Sequence, residues 1–141
     1  METAVATFLA DTSALARLHH DDVAARVTPM FIGGRIATCA TIDLEVLVTA
    51  RSAEEHEEMW FDRQLLPRAP ITEAVLDRAV EIQGALAATG RHRGLSTTDL
   101  VTAAAAEQMG LTVLHYDHDF DLIAEVTGQP TEWVVPRGTV P

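Results

Sequence analysis

The segment that most constrains the fold is the apolar run that ends in an acid, Thr7-Phe8-Leu9-Ala10-Asp11-Thr12-Ser13-Ala14-Leu15. Its first four residues are typical of a short buried strand. Thr12 and Ser13 favour the start of a helix, and Leu15 and Leu18 follow at helical spacing. Asp11 is therefore predicted at the carboxyl end of a strand and beside a helix N-terminus, where open α/β sheets place ligands. The same position also suits a simple helix cap.

Strand-like and helix-like segments alternate along the rest of the chain. Further short strands are predicted at residues 35–39, 111–115 and 132–135, with a candidate edge strand at 68–69. Helices are predicted at residues 21–30, 42–50 (capped by Thr41 and suited to burial), 53–66, 72–89, 98–109 and after 119. This alternation predicts an α/β fold with a central parallel sheet of four to five short strands flanked by helices.

Length and composition predict one domain with few basic groups. The 141 residues include 21 acids and 10 bases, all of them Arg, so the net charge is −11. This balance argues against broad binding to phosphate backbones. The acidic run at residues 54–58 is interpreted as a solvated face, with a docking face for a basic partner as the alternative. A single cysteine, no basic leader and no membrane-length apolar run predict a cytoplasmic protein without membrane contact.

Four acids lie in apolar or strand-end contexts. Asp11 ends the first strand, and Asp117 follows the strongest strand, with Asp119 two residues further on. Because the carboxyl ends of parallel strands meet at one edge of a sheet, these acids are expected at the same edge. Asp99, in the first turn of an Ala-rich helix, could face that edge as well. Glu45 lies in a helix whose other residues suit burial.

Each of these acids also has a purely structural explanation. Asp11 could cap a helix, and Asp99 could complement a helix dipole. Asp117 and Asp119 are common turn residues, and Glu45 could face the solvent. Taken together, these explanations require four independent coincidences that converge on one edge of the sheet. A common site explains the four acids with a single cause.

A cluster of carboxylates is unfavourable unless a cation accompanies it. Two like charges about 4 Å apart repel by roughly 4 kcal/mol at an effective dielectric of 20. Such a cluster is expected where a divalent cation offsets the repulsion, and all-oxygen ligands favour Mg²⁺ or Mn²⁺ over zinc. Acid-held Mg²⁺ serves phosphoryl transfer. The sequence therefore predicts a Mg²⁺ site, with Mn²⁺ as the alternative ion, and phosphodiester chemistry.

In their order and setting, the acid motifs resemble those of PIN-domain ribonucleases, and among these the VapC toxins of bacterial VapBC toxin–antitoxin pairs. The motifs that carry the resemblance are residues 8–15, Glu45 on a helix, residues 94–99 and residues 114–121. The resemblance covers about residues 7–135. It implies a single three-layer PIN domain over residues 1–141, and residues 136–141 are expected to form a loose tail.

The resemblance also implies an activity and its partners. The implied protein is a Mg²⁺-dependent endoribonuclease that forms a homodimer and is neutralised by a small VapB-like antitoxin, in a heterotetramer or larger assembly. Asp11, Asp99 and Asp117 match the family's metal ligands. Glu45 is expected to hold the metal or to act as base on the attacking water, leaving 5′-phosphate and 3′-hydroxyl ends. Asp119 could share or replace the role of Asp117.

Hydroxyl and guanidinium groups complete the predicted site. Hydroxyl groups that could orient the carboxylates or a water are those of Thr12, Ser13 and Thr98. Arg91 and Arg93 lie in the loop that leads to Asp99, where they could contact RNA phosphates. Arg17 and Arg51 are further candidates, for which solubility or helix capping is an equal explanation.

Two other functions would use the same features. The chain could act mainly as a binding module, in a DNA-binding autoregulatory complex whose antitoxin lays a basic segment across the acids. It could also be a PIN-type nuclease that acts on DNA, although the sequence shows no added DNA-binding element.

Overall fold

The computed structural model describes residues 5–141, which form a parallel sheet between two layers of helices. In chain order the elements are β1 (Phe8–Ala10), α1 (Thr12–Leu15), α2 (Asp21–Ile32), β2 (Ile36–Ala37), α3 (Ala40–Leu47), α4 (Ala53–Gln64), α5 (Glu73–Ala87), α6 (Thr97–Gln108), β3 (Thr112–His115), α7 (Asp119–Thr127) and β4 (Thr131–Trp133). The strand order is β2-β1-β3-β4, and all neighbours are parallel. The central pair β1 and β3 therefore brings the ends of two non-consecutive strands together.

The two faces of the sheet contribute to separate apolar clusters. Leu9 and Val113 belong to a cluster with α5, α6 and α7. Ala10 and Leu114 belong to a second cluster, with Val23 and other residues of α2. Successive side chains of a strand point to opposite faces, so neighbouring residues of β1 and β3 serve different clusters. The predicted three-layer α/β architecture is confirmed, with four strands.

Helix α6 lies in the centre of the first cluster. Its four consecutive alanines, residues 103–106, are all buried, and their small side chains let the helix approach α5 and the sheet closely. The Ser96 side chain accepts a hydrogen bond from the Asp99 backbone N–H and caps the helix. Although Thr98 was predicted as its first residue, the helix begins at Thr97. This cap fixes the first turn, which carries Asp99.

The second strand is shorter than the sequence predicted. Residues 35–39 were expected to pair, but β2 covers only Ile36–Ala37. Beyond it, Thr38 and Arg68 form an isolated parallel bridge. The edge strand predicted at residues 68–69 is therefore present only as this one bridge. Prolines on both sides of that segment limit further pairing because they have no N–H to donate.

Helix α3 differs from its prediction in both its cap and its burial. Cys39, rather than Thr41, occupies the N-cap position, and the helix ends at Leu47. The helix was expected to be buried, but Leu44 and Val48 at its end are 68% and 80% exposed. Helix α3 therefore presents apolar side chains to the surface on the side that does not contact the core.

A buried ion-pair group, here called the Asp43 cluster, connects α3 to α4 and to the segment after it. Asp43 Oδ1 accepts hydrogen bonds from Arg63 Nε at 2.7 Å and from Thr38 Oγ1 at 2.9 Å. Arg68 donates to Asp43 Oδ2. Burial alone would raise the pKa of Asp43, but the hydrogen bonds from Arg68, Arg63 and Thr38 outweigh it and lower that pKa. The cluster fixes the position of α3 with a fully paired acid.

Helix α4 carries the acidic run of residues 54–58 on an exposed surface. None of its residues is buried, which agrees with the predicted solvated face. Trp60 and Phe61 are nevertheless 37% and 64% exposed, so this surface also has an apolar part. Neither α4 nor any other helix within residues 5–141 has the length and apolar composition that a membrane span requires.

The segment 136–141 was expected to be a loose tail, but it makes specific hydrogen bonds. Tyr116 Oη donates to the Val140 carbonyl at 2.7 Å and accepts from the Gly138 N–H at 2.9 Å. Arg17 Nε donates to the Pro141 backbone oxygen at 2.9 Å. These contacts hold the segment against the loop that follows β3.

Candidate active site

Asp11 lies at the carboxyl end of β1, where the sequence placed it, and it also caps α1. Its Oδ2 atom accepts hydrogen bonds from the Ser13 N–H at 3.0 Å and from the Ser13 hydroxyl at 2.6 Å. Its Oδ1 atom is buried and has no hydrogen-bond partner among residues 5–141. Burial raises the pKa of Asp11 against the hydrogen bonds from Ser13, and the nearby charges of Glu45 and Asp117 add to the rise. One carboxylate oxygen therefore serves the fold, and the other is free to bind a ligand.

Glu45 reaches the same region from α3. The Thr12 hydroxyl donates a hydrogen bond of 2.8 Å to Glu45 Oε1, and this bond joins α3 to the residue next to Asp11. The Glu45 side chain is only partly buried. Its charge is close enough to raise the pKa of Asp11. Thr12 thus orients the carboxylate of Glu45, one of the predicted site acids.

Asp99 faces the sheet edge from the first turn of α6. Burial, together with the charges of Asp11 and Asp117, raises the pKa of Asp99 to about 7. The hydrogen bond with Ser96 opposes this rise but does not cancel it. A carboxylate near a helix N-terminus would ordinarily be stabilised as an anion. The raised pKa therefore shows that burial and the neighbouring acids dominate at this position.

Asp117, in the loop after β3, and Asp119, the first residue of α7, approach Asp99. One oxygen from each of these three acids lies within 4.8 Å of the others. Asp117 Oδ1 also accepts a hydrogen bond of 2.9 Å from the Asp119 N–H. Burial raises the pKa of Asp119, and the charge of Asp117 adds to it. Both candidates for the fourth acid are therefore at the site, and neither excludes the other.

His115 and Ser13 fix the loop that carries Asp117. His115 is fully buried, and its Nδ1 accepts a hydrogen bond of 3.1 Å from the Asp117 N–H. Burial lowers the pKa of His115 to about 4, so the ring is neutral near pH 7 and can accept this bond. The Ser13 hydroxyl accepts a hydrogen bond of 2.9 Å from the Tyr116 N–H while donating to Asp11. Ser13 therefore links the ends of β1 and β3 directly.

Thr98, Arg91 and Arg93, which were also predicted to belong to the site, make no hydrogen bond to a site acid among the described residues. Thr98 makes no side-chain hydrogen bond to an acid within the described part of the chain, and Ser96 holds the first turn of α6 instead. Arg91 Nη1 forms an ion pair of 2.7 Å with Glu125 on α7. Arg93 is exposed and has no carboxylate partner among residues 5–141. Of the two arginines, Arg93 is the freer one to contact a phosphate.

The donor set fits a hard divalent cation. Asp99, Asp117 and Asp119 offer three carboxylate oxygens that lie close together. Asp11 and Glu45 are not part of this close group, but Asp11, whose Oδ1 is buried and unpartnered among the described residues, is near enough for its charge to raise the pKa of Asp99. Burial, with a further contribution from their mutual repulsion, raises the pKa values of Asp11, Asp99 and Asp119, as expected for acids gathered without a counter-charge. Oxygen ligands of this kind suit Mg²⁺ or Mn²⁺ and disfavour zinc.

Sequence reasoning missed Asp43, which is the most buried acid of α3. Asp43 lies two residues before Glu45 in the same helix. The spacing of the two acids does not show which one forms ion pairs with arginines and which one belongs to a site. The partners of Asp43 are Arg63, near the end of α4, and Arg68, in the segment after it, and no sequence pattern connects them with Asp43. Arg51, a weak RNA-binding candidate, forms an exposed ion pair with Glu55.

Comparisons with known proteins agree with this arrangement. A family model of the PIN domain matches residues 8–126. Ribonuclease VapC21 of Mycobacterium tuberculosis is 44% identical over 133 residues, which cover 94% of this chain and 96% of that protein. This match extends over nearly the whole length of both proteins.

Solved structures share the fold at low sequence identity. The DNA-bound VapBC complex of Salmonella typhimurium contains a chain with a TM-score of 0.71 and 16% identity, covering 93% of this chain and 100% of that one. A chain of a toxin–antitoxin complex from Klebsiella pneumoniae matches with a TM-score of 0.67 and 18% identity, covering 93% and 98%. With the family match and the close relative, these results show that the chain belongs to the PIN-domain family and, within it, to the VapC proteins.

Proposed function

We propose that this chain is a metal-dependent endoribonuclease, the toxin of a type II toxin–antitoxin pair, that acts in the cytoplasm. The observation that carries the proposal is the group of three carboxylates within 4.8 Å of one another, beside the buried Asp11. A relative that is 44% identical is named a ribonuclease, which supports RNA as the substrate. The proposed reaction is hydrolysis of a phosphodiester bond.

The proposed metal ligands are Asp99, Asp117 and Asp119, with the free Oδ1 of Asp11 as the fourth. The chemistry that Mg²⁺ supplies when bound is positive charge for the scissile phosphate and greater acidity for a water. The carboxylates must be ionised to hold the ion, so Asp99 has to lose its proton first. Ser13 and His115 keep Asp11 and the Asp117 loop in place through hydrogen bonds. Their rigidity preserves the spacing of the ligands.

Glu45 is the proposed general base. Its Oε1 accepts the hydrogen bond from Thr12, which leaves Oε2 to take a proton from the attacking water. The water oxygen bonds to phosphorus as the bond from phosphorus to the 3′ oxygen breaks. Glu45 releases the proton it took to the solvent, from which the 3′ oxygen takes up a proton, so the products carry 5′-phosphate and 3′-hydroxyl ends. Glu45 and the aspartates thus have different tasks at one phosphate.

A VapB-like antitoxin is the proposed partner, and the surface of α3 and α4 is where it would bind. Leu44, Val48, Phe61 and Leu65 are each at least 64% exposed there. A groove of about 290 Å³, lined by Leu15, Leu18, Phe31 and Val46 among others, leads to Glu45. An apolar segment with an arginine would cover these side chains and place a guanidinium at the acids. The net charge of −11 favours such a basic partner.

A DNA-binding complex is a second proposed role of the same protein. The Salmonella VapBC relative was solved bound to DNA. This chain has too few free cations to bind a duplex strongly by itself, so any contact with DNA would come from the antitoxin.

For the proposed homodimer, the exposed Leu76 and Val80 of α5 offer an apolar surface. Two toxins and two antitoxins would then form a heterotetramer or a larger assembly.

An RNA cleavage assay with the purified chain tests the proposal. We expect wild type to cleave structured RNA in Mg²⁺ or Mn²⁺ and to stop in EDTA. Asp11→Asn should lower the rate by at least about a hundredfold, since it removes a charged ligand, without lowering the melting temperature. Asp22→Asn, an exposed acid on α2, is the matched control and should cleave like wild type. Normal cleavage by Asp11→Asn, or cleavage that EDTA does not reduce, would contradict the proposal.

A further inference from the structure

The group of Asp99, Asp117 and Asp119 is here called the acid cluster. A cleft of about 520 Å³ lies beside it and shares Asp117 with it. Its other lining side chains include Arg17 and Tyr116 near the end of β1 and β3, and Trp133 and Arg137 near the end of β4. The cleft thus combines two cations and two aromatic rings at the edge of the sheet where the site acids lie.

The two arginines of this cleft differ from most arginines of the protein because, among residues 5–141, neither is paired with an Asp or Glu side chain. Of the ten arginines, six form ion pairs with carboxylates: Arg26, Arg51, Arg63, Arg68, Arg78 and Arg91. Within residues 5–141, the arginines without a carboxylate partner are Arg17, Arg35, Arg93 and Arg137. Two of these four line the cleft that contains Asp117. Two of the arginines that form no ion pair with an Asp or Glu side chain among the described residues therefore lie together beside the site acids.

Arg17 is held in a fixed orientation. Its Cζ lies 4.5 Å from the centre of the Tyr116 ring, which places the cation over the aromatic face. Its Nη1 donates to the Ser13 carbonyl at 2.7 Å, and its Nε donates to the Pro141 backbone oxygen at 2.9 Å. A guanidinium has five N–H donors, so three stay available for a ligand.

Arg137 approaches the cleft from the opposite wall. Its Cζ lies 5.6 Å from the Trp133 ring, whose Nε1 is fixed by hydrogen bonds of 3.2 Å to Asp121. The next residue, Gly138, donates to Tyr116 Oη at 2.9 Å, so the same tyrosine that supports Arg17 also holds the backbone beside Arg137. Arg137 itself is exposed, and only His118 Nδ1, at 3.4 Å, lies near its Nη1.

We propose that this cleft is a phosphate subsite for the RNA strand, in which Arg17 and Arg137 bind a backbone phosphate that adjoins the scissile one. The inference rests on the proposed ribonuclease function. A planar guanidinium matches phosphate oxygens with two parallel hydrogen bonds, and a ring behind it reduces the side-chain freedom lost on binding. Asp117 belongs to both the cleft and the acid cluster, so the cleft adjoins the position of the scissile phosphate in this proposal.

The subsite explains how an enzyme with a net charge of −11 can hold a polyanion. The acid cluster repels the RNA backbone wherever a cation does not screen it. Two prepositioned arginines next to the cluster supply local attraction without making the whole surface basic. The strand would then be held mainly at one phosphate beside the cleavage site rather than along an extended basic groove.

RNA binding by the full chain tests the subsite directly. Fluorescence anisotropy with a labelled single-stranded RNA in EDTA separates binding from cleavage. Arg137→Gln should raise Kd on the order of tenfold and reduce the salt slope of log K by about 0.7, the value for one phosphate contact on a single strand. Arg35→Gln is the matched control, because it removes an exposed, unpaired arginine outside the cleft. It should leave Kd and the slope unchanged.

Cleavage kinetics in Mn²⁺ provide the second measurement. Arg137→Gln should raise KM on the order of tenfold and keep kcat within about twofold, since the contact is made in both ground and transition states. Arg17→Gln should behave alike, with its melting temperature checked because Arg17 also bonds Ser13 and Pro141. Equal effects of Arg137→Gln and Arg35→Gln, or none from either, would overturn the subsite. If wild type binds RNA through Arg137 but never cleaves it, the ribonuclease proposal fails and the subsite stands.

Discussion

Two buried acids, Asp43 in the Asp43 cluster and Asp11 in the group of site acids, have opposite electrostatics. Asp43 is 2% exposed and Asp11 is 3% exposed, so burial does not distinguish them. Arg63 and Arg68 surround Asp43, and their hydrogen bonds lower its pKa despite burial. Burial raises the pKa of Asp11, and no arginine or lysine side chain is paired with it among the described residues. The two aspartates are equally inaccessible to solvent, but arginines compensate the negative charge of Asp43 and no cationic side chain among the described residues compensates that of Asp11.

The difference shows how structural acids can be told from acids that await a ligand. A buried charge without a partner destabilises a fold, so it persists only where something else is gained. Arginines satisfy Asp43 within the chain, and its role is to hold α3. Asp11 and Asp99 keep their repulsion in the isolated protein, and a divalent cation would relieve it. Comparing variants of the two groups therefore tests the assignment of each.

The largest expected effect is the loss of stability when Asp43 is replaced. Asp43→Ala leaves Arg63 and Arg68 without their acid, and removing one member of a buried pair typically costs about 3 kcal/mol or more. We expect the free energy of unfolding in urea to fall by about that amount, whereas the exposed Asp22→Ala should change it by less than about 0.5 kcal/mol. Equal stability of Asp43→Ala and wild type would show that the cluster does not hold α3.

Replacing an acid of the other group should have the opposite sign. Burial and neighbouring acids raise the pKa of Asp99 to about 7, while in the unfolded chain it is near 3.8. The folded state therefore holds the proton more tightly, and this group makes wild type progressively less stable as pH rises from about 4 to 7. A shift of this size corresponds to at most about 4 kcal/mol at pH 8. Because Asp99 is only partly buried and solvent screens its charge, we expect Asp99→Asn in EDTA at pH 8 to be more stable than wild type by about 2 kcal/mol.

The pH dependence distinguishes this explanation from a general effect of the substitution. At pH 4, Asp99 is largely protonated in the folded state, so the advantage of Asp99→Asn should nearly vanish there. Urea unfolding at pH 4, 6 and 8 measures the trend. A stabilisation that is constant across this range would mean that the amide packs better, and it would count against electrostatic repulsion among the acids.

Much of the fold followed from the order of apolar runs and caps. Alternating periodicity predicted the parallel sheet, and capping residues such as Thr72 located helix starts. The sequence could not reveal that α3 exposes Leu44 and Val48, because periodicity marks apolar side chains without saying whether the chain or a partner covers them. It also predicted a loose tail where Tyr116 holds residues 138–140, since that hydrogen bonding depends on the distant β3 loop.

The candidate acids were predicted more completely than the groups that support them. The carboxyl ends of neighbouring parallel strands meet at one edge of the sheet, so the sequence alone predicts that Asp11 and Asp117 lie close together. The roles of Asp11 Oδ1 and of the buried His115 depend on which atom each side chain turns inward, which no spacing encodes. Asp43 was overlooked for the same reason, because its two arginines come from α4 and the segment after it.

The smallest expected effect is the increase in the free energy of unfolding when Mn²⁺ binds to the site acids. This increase should depend on pH, because Asp99 has to lose its proton before the ion binds. At Mn²⁺ ten times above its Kd, binding should stabilise wild type by about 1.4 kcal/mol at pH 8. Mn²⁺ must displace the proton of Asp99, whose pKa is about 7, so at pH 5.5 the same concentration should add only about 0.2 kcal/mol.

Urea unfolding with and without Mn²⁺ at the two pH values measures this difference. Asp99→Asn should lose most of the stabilisation at both, because the amide is a weaker ligand for the ion than a carboxylate. Asp22→Asn should respond as wild type does, since that acid is exposed on α2, away from the group. An equal response of wild type at pH 5.5 and 8 would mean that the ion binds without Asp99. The raised pKa of Asp99 would then reflect burial and repulsion alone, and Asp117 and Asp119 would need another partner to hold the cation.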